Sequence, residues 1–123
     1  MNVKLWIGGK AVESQATEWR DVVNPATQAV LARVPMATRA EVDAAVASAK
    51  QAFTTWRGTP IGVRARIFLK YQQLIRDHLK QVAALLTAEQ GKTLADAEGD
   101  VFRGLEVVEH ARSEERRVGK ECW

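Results

Sequence analysis

The chain has 123 residues, 46% of them hydrophobic and 27% charged, with a formal net charge of +3 at pH 7. This composition excludes a disordered polyelectrolyte, and the length allows one small domain at most. Residues 112–123 hold four bases against three acids, so residues 1–111 carry only +2, which is no polyanion-binding signature.

The first expected elements are extended. Residues 3–7, VKLWI, form a β-branched and aromatic run that ends at Gly8-Gly9, and KAVES follows as its partner in a hairpin. Residues 17–23 and 29–34 make a second extended pair, joined by Asn24-Pro25-Ala26-Thr27, where Pro25 keeps Asn24 extended and sets up a turn. Strands this short need something packed against them.

Helices supply the cover. Thr38-Arg39-Ala40-Glu41 is a capping box, and Val42, Ala45, Val46, Ala49, Phe53 and Trp56 then follow helical spacing up to Gly58. Thr59 as cap and Pro60 at the first helical position open the next helix. Its stripe of Ile67, Tyr71, Leu74, Ile75, Val82, Leu85 and Leu86 continues to Gly91. There are three helices in all if that stripe is unbroken, and four if it breaks near Asp77-His78.

The last helix is specified at its start. Gly91 suits the left-handed position past a helix C-terminus, and Thr93 with Asp96 three residues on gives a cap and a first-turn acid. Leu94, Ala97, Val101, Leu105 and Val108 lie on one stripe that should face a core, with Phe102 and Val107 off it. Gly99 and Gly104 each cost about 1 kcal/mol against alanine inside a helix, which points to a close approach by another backbone or a bound molecule. Arg103 falls almost opposite Val101, and on these residues alone the plain reading is a solvated arginine.

Chemistry is hard to find in the residues. Gly91-Lys92-Thr93 is no phosphate loop, because Leu86 stands where the motif needs its first glycine, and Lys92 reads as a cation favouring the end of the preceding helix dipole. Glycines 8, 9, 58, 62 and 91 form no dinucleotide array between strand and helix. His78 and His110 lack a zinc-type pattern, Ser14, Ser48 and Ser113 lack an elbow motif, and the single Cys122 excludes an internal disulfide and is too isolated for a metal site. No catalytic, cofactor or metal residue is therefore assigned. No run approaches the roughly 18 apolar residues of a membrane span, no signal-like stretch opens the chain, and the expected location is cytoplasmic. Arg64, Arg66, Lys70, Arg76 and Lys80 make one helix basic and support a rival class, a small non-catalytic helical interaction or nucleic-acid-binding module. They alternate with a core stripe and have no stacking platform beside them, which weighs against it.

A resemblance adds to this reading. TAEQGKTLADAEGDVFRGLEVVEHA is similar to the N-terminal region of the CoA-acylating methylmalonate-semialdehyde dehydrogenases, a branch of the aldehyde dehydrogenase superfamily. LWIGGKAVES, DVVNPATQAVLARVPMAT, AEVDAAVASAKQAFTTWR and TPIGVRARIFLKYQQLIRDHL continue the likeness in order over residues 3–111, and GDVFRGLEVVEHA resembles that branch in particular. After Ala111 the pattern stops, and RSEERRVGKEC resembles the translation of a sequencing adapter, so residues 112–123 are expected to be a non-native tail.

The resemblance implies an α+β fragment of an α/β enzyme. Residues 1–111 would be β-hairpins followed by three to four amphipathic helices, the start of an aldehyde dehydrogenase nucleotide-binding domain, with apolar faces lacking their natural cover. It further implies that the complete enzyme oxidises methylmalonate and malonate semialdehyde with NAD and transfers the acyl group to CoA, through a cysteine that is not Cys122. The complete enzyme would be a homo-oligomer, a tetramer, acting on a small aldehyde with no nucleic-acid or membrane partner. The fragment itself would be inactive and bind neither cofactor. One role maps onto this chain: the arginine of the G-D/E-V-x-R-G-x-E pattern, implicated in holding the substrate carboxylate, corresponds to Arg103. Some members of the superfamily hold a monovalent cation near an acid in this region, which brings Asp100 to notice, though a helix acid is more often solvated.

Overall fold

Two units make up the chain, Met1–Gly58 and residues 59–123. The computed structural model describes the backbone of residues 1–121 and the side chains of residues 1–111.

In the first unit, strands β1 (Leu5–Ile7) and β2 (Lys10–Val12) pair antiparallel, with Leu5 opposite Val12 and Ile7 opposite Lys10. Gly8 and Gly9 between them both have positive φ, 63° and 78°, which is the backbone a two-residue hairpin turn needs to match strand twist. The expected partner KAVES is strand only to Val12, because Ser14 leaves the ladder and donates to Glu41. Strands β3 (Trp19–Val23) and β4 (Val30–Pro35) form a separate antiparallel pair. The register shifts between Val22, opposite Ala32, and Val23, opposite Val30, so Leu31 is the extra residue of a bulge. Asn24 organises the connection: its side-chain oxygen accepts from the amides of Ala26 (2.9 Å) and Thr27 (3.3 Å), and its carbonyl accepts from Gln28 N–H at 2.7 Å. Gln28, at φ 63°, completes the reversal. Met1 to Val3 add to this sheet through Val3 N–H to the Arg33 carbonyl and Arg33 N–H to the Met1 carbonyl.

Helix α1 (Arg39–Trp56) begins where the capping box put it, with Thr38 Oγ1 accepting from Glu41 N–H at 3.2 Å. The other half of the box is spent elsewhere. The Glu41 carboxylate accepts from Ser14 Oγ at 2.7 Å and from Gln15 N–H at 2.9 Å, tying the end of the first hairpin to the helix start. These bonds, that from Ser14 first, hold the Glu41 carboxyl below its ordinary value. A carboxyl whose folded pKa is depressed stabilises the fold above its unfolded pKa and loses that contribution as pH falls through the folded value. We therefore expect a Glu41 titration by carbon NMR to give a midpoint below that of a free glutamate, and Ser14→Ala to move it upward. An unshifted midpoint in both proteins would mean that the clamp does not persist in solution.

The second unit contains α2 (Ile61–Asp77), α3 (Leu79–Gln90) and α4 (Leu94–Glu121). The chain thus has four helices among the described residues, and the long stripe breaks at Asp77-His78. His78 leaves helical geometry (φ −110°, ψ 12°), and both its backbone N–H and its ring Nδ1 lie in hydrogen-bond reach of the Leu74 carbonyl, at 3.1 and 2.9 Å. The Leu74 carbonyl thus has the backbone N–H as its helical partner and the ring nitrogen as a second one. Thr59 is not the cap of α2. Pro60, whose ψ of 142° is not helical, itself holds the cap position and its carbonyl accepts from the N–H groups of Val63 and Arg64, so the helix begins one residue later than expected, at Ile61.

Burial corrects the long sequence stripe on both α2 and α3. On α2 the half-buried positions include Phe68, Gln72 and Ile75, whereas Ile67, Tyr71 and Leu74 are exposed. The helix has apolar residues on two sides, and packing selected the side whose polar members find partners on α4. Gln72 Nε2 donates to Glu109 Oε1 at 2.8 Å, and Arg76 pairs with the same oxygen at 2.9 Å. On α3 the buried residue is Ala83, while Val82 and Leu85 are exposed. Helix α4 keeps its expected face, with Ala97 and Leu105 buried and Val101 and Val108 half-buried, and only Leu94 is exposed. Among the described residues the buried ones are Pro35, Ala83, Ala97 and Leu105, and many larger apolar residues, Val46 and Phe53 of α1 among them, remain open to solvent. The segment expected to be a non-native tail lies outside the residues described with side chains.

Candidate functional site

The first turns of α4 gather three charged side chains. Gly91 takes the left-handed conformation (φ 74°) and its N–H returns to the Thr87 carbonyl at 2.8 Å, which ends α3 as expected. Thr93 Oγ1 accepts from Asp96 N–H at 3.2 Å and starts α4 one residue on. Lys92 lies between the two events, so its side chain can run alongside the new helix. Its Nζ donates to Asp100 Oδ2, and it does not return to the end of α3 as the sequence suggested.

Asp100 has a second partner one turn along. Arg103 Nη2 lies 3.1 Å from Asp100 Oδ1, so one carboxylate oxygen faces a lysine and the other an arginine. Both cations hold the Asp100 carboxyl below its usual value, the Lys92 hydrogen bond contributing most. With both oxygens directed at side-chain cations, Asp100 is not arranged as a ligand for a monovalent ion. The side chains of Asp100 and Lys92 are about one-third exposed, whereas that of Arg103 is 66% exposed.

The arginine is therefore held at one edge and open at the others. A guanidinium can grip a carboxylate with two parallel N–H bonds, and an exposed one has N–H groups available for it. Gly99 sits beside it, where an added Cβ would lie 3.7 Å from Nη2. Gly104 differs, since a Cβ there would meet nothing within 4 Å. It lines an open apolar groove with Tyr71, Leu74, Ile75, Val101 and Val108, so the close approach expected at this glycine is not made by the described residues.

Two of the remaining candidates are bound into the fold: Ser14 is committed to Glu41, and His78 is joined to Leu74, while Ser48 lies near Gly8, where an added Cβ would be 3.5 Å from its Oγ. Among the described residues no three His, Cys, Asp or Glu side chains gather as a metal site. No helix there is long and apolar enough to cross a membrane. The glycine pairs do not fit a dinucleotide: Gly8-Gly9 joins two strands, and Gly91 ends a helix with its N–H already bonded. Ser113 and Cys122 fall outside the residues described with side chains. Sequence reasoning missed the roles of Ser14 and Lys92, whose partners are 27 and 8 positions away with no helical period linking them.

Comparison with known proteins gives a consistent result. The model of the aldehyde dehydrogenase family matches residues 11–122, a span that crosses into the expected tail. A human protein named methylmalonate-semialdehyde/malonate-semialdehyde dehydrogenase (acylating), mitochondrial, is 62% identical over 90% of this chain, and its Arabidopsis thaliana counterpart is 58% identical over 85%. The chain spans 21% and 17% of their lengths, about one-fifth. Both names place those relatives in mitochondria, where the sequence reading gave the cytoplasm. Among solved structures, one described as a methylmalonate-semialdehyde dehydrogenase of Sinorhizobium meliloti complexed with NAD superposes with a TM-score of 0.87 at 40% identity, covering 91% of this chain and 23% of that one. A methylmalonate-semialdehyde dehydrogenase of Oceanimonas doudoroffii gives 0.88 at 33% identity, covering 94% and 24%. The two hairpins and four helices match the start of such a domain.

Proposed function

Because the chain belongs to the aldehyde dehydrogenase family, we propose that it is the N-terminal part of an enzyme that oxidises methylmalonate semialdehyde, and malonate semialdehyde, with NAD and delivers the acyl group to CoA. The observation that carries this reading is the 62% identity to an acylating dehydrogenase of that name. The glycines among the described residues form no dinucleotide loop, so we assign NAD binding and the chemistry of oxidation to the remainder of the complete protein. What these residues contribute is recognition. Arg103 binds the carboxylate at the end of the substrate opposite the aldehyde, and two parallel hydrogen bonds would fix both the position and the plane of that end.

By the same family likeness the complete protein is a homo-oligomer, a tetramer, and the isolated chain binds neither NAD nor CoA. We place it in the cytoplasm, with residues 112–123 foreign to the enzyme. The extent of the family match, to residue 122, opposes that view of the tail.

The test uses a complete reading frame carrying this segment, supplied with methylmalonate semialdehyde, NAD and CoA. NADH should accumulate together with propionyl-CoA, identified by mass spectrometry. NADH formation that releases only a free acid, with CoA present, would remove the acyl-transfer assignment. No reaction with this aldehyde beside good turnover of simple ones would remove the substrate.

A further inference from the structure

Arg103 is long and largely exposed, and nothing in its own sequence position would keep its guanidinium aimed in one direction. Resting on the proposed carboxylate-binding role of Arg103, we infer that Asp100 is its positioning residue: it holds one edge of the guanidinium and leaves the opposite edge aimed outward at the substrate carboxylate, while Lys92 prevents Asp100 from cancelling the charge of the arginine. Three observations carry this. Asp100 Oδ1 is 3.1 Å from Arg103 Nη2, one helical turn away, so both ends of the contact are carried by one rigid element. Asp100 Oδ2 is engaged by Lys92 Nζ, so the trio of two cations and one anion keeps a net positive charge. The anchor is also drier than the arm, since Asp100 and Lys92 are about one-third exposed against two-thirds for Arg103.

A carboxylate beside an arginine can oppose substrate binding by competing for it, and the shared arrangement decides between the two effects. Asp100 reaches a single nitrogen of a group that has five N–H donors, and half of its acceptor capacity goes to the lysine. An aspartate is ionised at neutral pH in any case, and the two cations favour its charged form further. The flank of the guanidinium beside Gly99 is uncrowded, since even a Cβ added there would lie at ordinary contact distance, 3.7 Å from Nη2.

The experiment measures kcat and KM of the complete enzyme for methylmalonate semialdehyde and for propionaldehyde, which has no carboxylate. Variants are Arg103→Ala, Asp100→Ala, Asp100→Asn and Asp100→Glu. Asp100→Ala should raise KM for the semialdehyde about tenfold, as expected when a binding group loses its alignment, with kcat nearly unchanged and propionaldehyde unaffected. Asp100→Asn keeps the shape and an acceptor and should fall between, and Asp100→Glu should restore part of the affinity. If Asp100→Ala fails to fold, Asp100→Asn decides by the same ratio. A lower KM in the Asp100 variants would make Asp100 a competitor, and equal losses for both aldehydes would make it structural, and either overturns the inference. If Arg103→Ala is selective for the semialdehyde while the Asp100 variants are silent, this inference alone fails. If Arg103→Ala itself shows no selectivity, the carboxylate-binding reading fails and takes the inference with it.

Discussion

Arg103→Ala in the complete enzyme should lower kcat/KM for methylmalonate semialdehyde by about tenfold to hundredfold, the loss expected for a charge-assisted two-pronged contact worth about 1.5 to 3 kcal/mol. Propionaldehyde should keep nearly its original efficiency, since it offers no carboxylate to the guanidinium. Lysine at position 103 should recover only part of the loss, because an ammonium supplies the charge without the planar fork. The substitution should leave the thermal transition in place: the side chain is 66% exposed and its ion pair is with Asp100 of the same helix. A parallel fall for both aldehydes, with the transition unchanged, would assign Arg103 to the reaction in some other way. A parallel fall with a lowered transition would make it structural.

Leu105→Ala should be the most damaging single truncation in the second unit. Leu105 is only 2% exposed and is the largest buried side chain among the described residues of this unit, the others being Ala83 and Ala97. Removing a buried leucine to alanine costs about 3 kcal/mol from lost transfer energy and the cavity left behind, and so small a core has few other contacts to absorb the change. Helical circular dichroism should then melt at markedly lower urea. Leu94→Ala provides the contrast, since Leu94 belongs to the same sequence stripe but is 50% exposed, and its truncation should cost under about 1 kcal/mol. Equal sensitivity at the two positions would show that the burial of α4 is not as described.

The contrast between these two leucines also marks what the residues determined by themselves. Local signals were sufficient wherever the physics is local. Gly8-Gly9 closed a hairpin because only such residues accept two successive positive φ values, Thr38 and Thr93 capped the helices they precede, and Gly91 ended α3. The family likeness was legible for the same reason, since it is carried by contiguous strings such as GDVFRGLEVVEHA, and with it came Arg103 as a candidate.

Tertiary structure alone decided which side of α2 is covered. Periodicity reports that a helix has an apolar side, but α2 has apolar residues on two, and the pairing of Gln72 and Arg76 with Glu109 of α4 goes with burial of Phe68 and Ile75 instead of Ile67 and Tyr71. The same holds for the carboxylates. Glu41 was expected to close its own capping box and Asp100 to face solvent, yet Ser14 takes the first and Lys92 with Arg103 the second. A charged side chain goes to whatever partner the folded chain brings within hydrogen-bond distance, and no spacing along the sequence encodes a partner 27 residues away in another element.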